Sequence, residues 1–248
     1  MKRNVGCGVL AVAVLAATSP TIRGAETLTN GGFESGFSGW SRLDSLGSDG
    51  TFALQTGTSS PVNGTAVPAP PASSTAAMTD ALGPGSHVLY QDFTLTSAVD
   101  AAVLNFNLFV GNRAGGFYIP ASGTLDFSVA AFNQQARVDI LLGSANPFSV
   151  AGSDVLLNAF QTSSGSAAVS GYTSYSVSVA SILNSHLNTP LRIRFAETDN
   201  VANFQFGVDN VGLQTGASSA VPEPSTFAAG ALAGALCLLI SRRRRRDG

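Results

Sequence analysis

The body of this 248-residue chain has no cysteine: Cys7 sits in an apolar N-terminal run and Cys237 in an apolar C-terminal one. The residues between them can form no disulfide, no thiolate metal site and no thiol nucleophile. Histidine is almost as scarce. His87 and His186 are the only two; they have no metal-ligating spacing and no serine or cysteine partner in a recognisable arrangement, and both are expected at the surface. Lysine is missing from residues 26–220, which keep five cations, Arg42, Arg113, Arg137, Arg192 and Arg194, against 13 acids, a balance near −8. That charge argues against nucleic acid as a partner and suits divalent cations. No nucleophile elbow, Walker loop or dinucleotide fingerprint stands between a strand and a helix, and no long amphipathic helix appears.

What is present is alternation. Leu89, Phe93 and Leu95 share one strand parity, and Leu104, Phe106, Leu108 and Val110 share another, with Asn105 and Asn107 opposite. Leu125, Phe127 and Val129 alternate with Thr124, Asp126 and Ser128. The same period of two runs through Val138 to Leu142, Tyr175 to Val179 and Leu191 to Phe195. Each is the pattern of a half-buried strand. Six such strands between glycine- and serine-rich turns predict an all-β fold, a jelly-roll-like β-sandwich. A short helical turn is expected near Ala180 to His186. Residues 56–86 carry Pro61, Pro68, Pro70, Pro71 and Pro84 and read as a long surface loop with one strand piece at most. In the last strand the apolar parity changes from Phe204, Phe206 and Val208 to Val211 and Leu213. That change predicts a β-bulge at Asp209-Asn210, which re-aims Asp209.

Both ends differ from the body. Lys2 and Arg3 precede an apolar run, Val5 to Ala17, which reads as a signal helix, with residues 1–25 as the signal peptide and a cut near Gly24 or Ala25. The sandwich domain is placed at 26–215. Residues 216–226 form a linker holding Val221, Pro222, Glu223, Pro224 and Ser225. Two prolines around one glutamate keep that stretch out of the helical region and extended, the form a protease binds. A transmembrane helix is expected at 227–241. Its apolar core, Phe227 to Ile240, has 14 residues and would span roughly 21 Å as a helix, short of the ~20 residues usually needed to cross a bilayer. Arg242, Arg243, Arg244, Arg245 and Arg246 follow, in the tail at 242–248. Their side chains can snorkel to extend the span, and as a positive flank they stay cytoplasmic.

Pro-Glu-Pro, a short span and a terminal arginine cluster, in that order, resemble the PEP-CTERM protein-sorting tail of Gram-negative bacteria. The resemblance implies export through the inner membrane and transient anchoring there. Cleavage by an exosortase would follow, then delivery to the cell surface or extracellular matrix. A permanent membrane anchor is the alternative. The segments Gln134 to Leu141, Arg192 to Asn200 and Gly207 to Val211 resemble the body of many PEP-CTERM proteins, which has no assigned activity.

The opening Asn30-Gly31-Gly32-Phe33-Glu34, with Gly39-Trp40 after it, resembles the first strand of galactose-binding-like jelly rolls, including several carbohydrate-binding modules. In those modules a structural calcium ion often ties the first strand to the last. The resemblance gives Glu34 and Asp209 that role; the alternative is that both are turn residues bonded to nearby backbone N–H groups. Trp40, Phe117 and Tyr118 are candidates for stacking on sugars, against core or loop-covering roles. Glu197 and Asp199 stand two apart after a strand, and ion pairs with Arg192, Arg194 or Arg137 are expected for them rather than glycosidase chemistry. The reading is a non-enzymatic surface or matrix protein, with exosortase and the inner membrane as transient partners; the alternative is a carbohydrate-binding module for exopolysaccharide.

Overall fold

The structure is a computed structural model, and it describes residues 25–216 apart from 73, 113–114, 120–122, 169–170 and 202–203. The signal segment, the Pro-Glu-Pro motif (Val221 to Ser225), the apolar span and Arg242 to Arg246 lie outside the described residues.

Eleven strands and one short helix follow in order: β1 (Ala25–Glu26), β2 (Ser41–Asp44), β3 (Ala53–Thr56), β4 (Thr75–Ala81), β5 (Gly85–Phe93), β6 (Ala101–Asn112), β7 (Gln134–Leu142), β8 (Val155–Gln161), β9 (Thr173–Ser178), α1 (Ala180–Asn184), β10 (Leu191–Asp199) and β11 (Phe204–Gly216). They form two antiparallel sheets. The first runs β3-β4-β11-β6-β9, with β1 also on β11; the second runs β2-β5-β10-β7-β8. The chain is a β-sandwich.

The alternating apolar residues meet between the sheets. Leu104, Phe106 and Leu108 from β6 face Leu191, Ile193 and Phe195 from β10, all essentially without exposure. Phe106 and Phe195 meet edge to face, their centroids 5.8 Å apart, a geometry that aromatic quadrupoles favour. Truncating one such ring to alanine removes about 3–5 kcal/mol.

The second sheet is covered on its outer face as well. Val88, Leu125 and Ala196 are buried there against Phe148 and Val150. Two segments make that cover, 123–133 and 143–154. The first was expected to be a strand over Thr124 to Val129, but it folds as turns. Its carbonyls bond to side chains instead of a ladder: Asn200 Nδ2 donates to the carbonyls of Phe127, Val129 and Ala131, and Asn133 Nδ2 to those of Thr124 and Asp126.

The 56–86 stretch holds the one buried strand piece expected of it. It supplies all of β4, which is internal to the first sheet between β3 and β11. Its small residues, Ala76 and Ala77, are fully buried. The helical turn appears as α1, and the parity change in β11 is a bulge between Asp209 and Gly212.

Candidate functional site

The first turn packs on the β11 bulge. Asn30, Phe33 and Asn210 all take left-handed backbone angles, φ 50°, 56° and 52°. Val211 N donates to Gly31 O at 3.0 Å, and a methyl group on Gly31 would collide with the Val211 carbonyl. Trp40 anchors this turn. Its Nε1 donates to the carbonyls of Thr29 and Asn30, both at 3.1 Å, and its ring lies 5.3 Å from Phe33.

Glu34 and Asp209 come together here. Glu34 accepts from Ser74 N, Ser74 Oγ and Thr75 N at 2.7–3.1 Å, which is backbone bonding of the kind the alternative reading expects. Asp209 Oδ1 accepts from Asn210 N at 2.6 Å and the Ala72 N–H also faces the carboxyl, but the buried Oδ2 makes no hydrogen bond of good geometry. Burial pushes this carboxyl up to about 6, and the Glu34 charge adds to the rise. An orphaned carboxylate oxygen beside a second carboxylate is the polarity a hard cation satisfies. Among the described residues no three His, Cys, Asp or Glu side chains are grouped to hold a metal. A cation here would therefore take most of its oxygens from carbonyls and water.

Two expectations about charged residues are corrected. His87 is fully buried. Its Nδ1 lies 2.7 Å from Asp44 Oδ1 and its Nε2 2.9 Å from Asp49 O; both partners are acceptors, so the ring is an imidazolium. Burial alone would lower its pKa. The Asp44 hydrogen bond and the Glu197 and Asp44 charges outweigh that and raise it. Arg137, Arg192 and Arg194, the arginines expected to pair with Glu197 and Asp199, pair with Asp139 and Asp92 instead. Glu197 Oε1 lies 3.5 Å from His87 Nε2, and burial lifts the carboxyl to about 8. Asp199 accepts from Gln134 Nε2 and Val201 N.

The arginines pair elsewhere. They sit at even positions of β10 and odd positions of β7, on the outer face of the second sheet. Arg137 and Arg194 both bond Asp139, and Arg192 bonds Asp92 at 2.6 and 2.9 Å. Arg194 also holds the covering segment through Pro147 O and Ser149 O at 2.7 and 2.6 Å.

At the β8 edge of this face lies an open cleft. One hollow of about 470 Å³ is lined by Ile119, Asn158, Gln161, Thr162, Ser163 and Ser164. A second, of about 210 Å³, is bounded by Tyr118 and Phe132 and shares Ile119 and Ser164 with the first. The larger is within the ~300–1,000 Å³ usual for ligand sites. Tyr118 is 41% exposed and Phe132 61%. Their rings stand edge to face at 5.7 Å and 70°. Of the three aromatics proposed to stack on sugars, only Tyr118 reaches this surface. Trp40 and Phe117 are core residues, and Phe117 packs edge-on to Phe204 at 5.5 Å.

The sequence reading missed Phe132, Asn158 and Gln161. Phe132 lies in a stretch without periodicity. Asn158 and Gln161 are three apart, a spacing that places side chains on opposite faces of a regular strand. The register shift between Val138 and Asp139 inserts an extra residue, Ala159, and brings both amides to one face. Neither Glu197 nor Asp199 lines the cleft.

Residues 220–246 match the PEP-CTERM protein-sorting motif. The motif indicates export and sorting to the cell surface or extracellular space, and it implies exosortase processing. No curated protein matches the chain. Among solved structures, the chain is similar to TmCBM61, solved with β-1,4-galactotriose (12% identity, 77% of this chain and 99% of that one, TM-score 0.43). It is also similar to a family 11 carbohydrate-binding module from Clostridium thermocellum (15% identity, 77% and 96% covered, TM-score 0.40). A third is the Stig cyclase Fisc from Fischerella sp. TAU (15% identity, 79% and 100% covered, TM-score 0.45). These likenesses concern the sandwich architecture alone.

Proposed function

We propose that this protein is a non-catalytic component of the cell surface or extracellular matrix that holds polysaccharide in the Tyr118–Phe132 cleft. The chain inserts in the inner membrane through its apolar run, is cut near Pro222-Glu223-Pro224 and is released outward. The observation that carries the binding reading is the pair of exposed aromatic rings opening onto a hollow lined by amides and hydroxyls. Exposed rings supply a rigid apolar surface, and a few fixed polar groups supply orientation. A calcium ion at the Glu34–Asp209 junction is part of the same proposal. Asp209 Oδ2 and neighbouring carbonyls would hold it, and it would tie the first turn to β11 without entering the binding step.

The test is affinity electrophoresis of the full chain in gels containing the producing cell's exopolysaccharide. Retardation of the wild type, lost in a Tyr118→Ala, Phe132→Ala variant of unchanged melting temperature, is the expected result. Equal mobility of wild type and variant, with and without polysaccharide, contradicts the proposal.

A further inference from the structure

The polar atoms that the cleft presents are sorted by kind, and the sorting is imposed from beneath. Asn158 Nδ2 is turned inward, donating to Asp139 Oδ1 at 2.8 Å and to Phe160 O at 3.1 Å. Gln161 Nε2 is turned inward too, donating to Gln135 Oε1 at 3.0 Å. Neither amide can flip without cost. Asp139 is a buried carboxylate held by Arg137 and Arg194, so it only accepts. Gln135 Nε2 is committed to Thr124 O at 2.9 Å and Asn133 Oδ1 at 2.7 Å, and Asn133 Nδ2 is itself committed to the Thr124 and Asp126 carbonyls. The chain of donors fixes Gln135 Oε1 as the acceptor for Gln161. Both Asn158 N–H groups are used and one of Gln161's is, so the two amide oxygens and a single Gln161 N–H are left for a ligand. Thr162 Oγ1 is used internally, bonded to Ala136 N and O. Ser163 and Ser164 add hydroxyls, and among the described residues no charged side chain lines either hollow.

Two fixed acceptor oxygens receive hydroxyl donors and offer nothing to carboxylate or sulfate oxygens, which can only accept, and the neutral Gln161 N–H and serine hydroxyls supply no charge to hold such anions. The acidic balance of the body acts in the same direction at longer range. We infer that the cleft selects uncharged, hydroxyl-rich glycan and discriminates against uronate and sulfated chains, with Asn158 and Gln161 as the specificity-determining residues and Asp139 and Gln135 as positioning residues behind them. This rests on the binding reading above. A charged glycan would leave the two amide oxygens facing its own oxygens, with no proton to share. The two hollows adjoin at Ile119 and Ser164 and both are open, which suits an internal stretch of polymer.

The experiment titrates the full chain with an uncharged β-glucan or galactan and with a polyuronate, at low and high salt. It is repeated with Tyr118→Ala and with Gln161→Arg, which replaces an acceptor by donors at a half-buried edge position. The expected result is binding to an uncharged glycan that salt leaves unchanged, with polyuronate weaker by about tenfold or more. Gln161→Arg should lose affinity for the uncharged glycan and gain salt-sensitive affinity for polyuronate. Polyuronate bound as well as uncharged glycan, and lost in Tyr118→Ala, overturns the selectivity and leaves the site intact. Glycan binding indifferent to Tyr118→Ala, or no binding by the folded wild type, overturns the site and the selectivity with it.

Discussion

Asp139 Oδ1 accepts a hydrogen bond from Asn158 Nδ2 at 2.8 Å, so a carboxylate with no exposed surface holds an amide that lines the open cleft. Two arginines fix that carboxylate in turn, and one of them, Arg194, also clamps the 143–154 segment over the sheet. Sheet, cover and cleft are thus one hydrogen-bonded unit.

Replacing Arg194 with methionine tests that unit. Asp139 keeps Arg137 but loses its second partner, and the Pro147 and Ser149 carbonyls lose their donor. Removing one side of a buried ion pair costs about 3–5 kcal/mol, and the low end is expected because Arg137 remains. Denaturant melts measure the loss. Hydrogen exchange should speed up in 145–150 before it does in β10.

Asp209 predicts a pH-dependent response to calcium. Its folded pKa, about 6, lies above the ordinary 3.8. In the absence of metal the fold keeps a proton that the unfolded chain releases, so this group's contribution falls as pH rises between those values. Bound calcium reverses the preference by favouring the carboxylate. Added calcium should therefore raise the melting temperature more at pH above 6 than below it. Asp209→Asn should abolish the calcium response while leaving the metal-free protein no less stable. A calcium shift that survives in Asp209→Asn places the ion elsewhere.

The His87 cluster predicts a decline in stability toward alkaline pH. Asp44 faces His87 from β2, the Asp49 carbonyl from the loop after it and Glu197 from β10, while Thr79 from β4 and Asp199 from β10 face Glu197. Glu197 is raised from 4.5 to about 8, so stability falls between those values as the unfolded chain loses its proton first. His87 is raised above 6.5. Its contribution is full below 6.5 and is lost as pH rises through the higher folded value. Both slopes have one sign. Glu197→Gln should flatten the decline, and thermal melts across this range are the check.

The tail prediction concerns processing. Changing Pro222, Glu223 and Pro224 to alanine removes the extended motif. The variant should accumulate uncleaved in the inner-membrane fraction, detected by immunoblot of fractionated cells. Release of the variant at the normal size would contradict exosortase cleavage at this motif.

The fold was legible wherever burial was one-sided or cleanly alternating. Leu104 to Val110 and Leu191 to Phe195 could be read as strands because their polar partners fall on the other face. Thr124 to Val129 alternates just as well, yet it is a loop. Asn133 and Asn200 satisfy its carbonyls, and no local pattern announces Asn200, which lies 69 to 73 residues along the chain from the carbonyls it bonds. β4 could be read only as a strand piece without bounds, because alanines stand where large apolar residues would mark the alternation. The Asp209 bulge was readable as a parity change. The Ala159 bulge was not, because β8 is a half-buried edge strand whose apolar residues keep no strict parity, and so the amide pair beside the cleft went unseen. His87 was misjudged because a lone histidine gives no sign of the two acceptors, Asp44 and Asp49 O, that make its burial tolerable.

The measurement that tests the central claim most directly is hydrogen exchange of the full chain with and without a saturating uncharged oligosaccharide. The account predicts protection confined to 115–119, 131–133 and 158–165, around Tyr118, Phe132 and the β8 edge. Protection that spares these segments and falls elsewhere on the sandwich would contradict it.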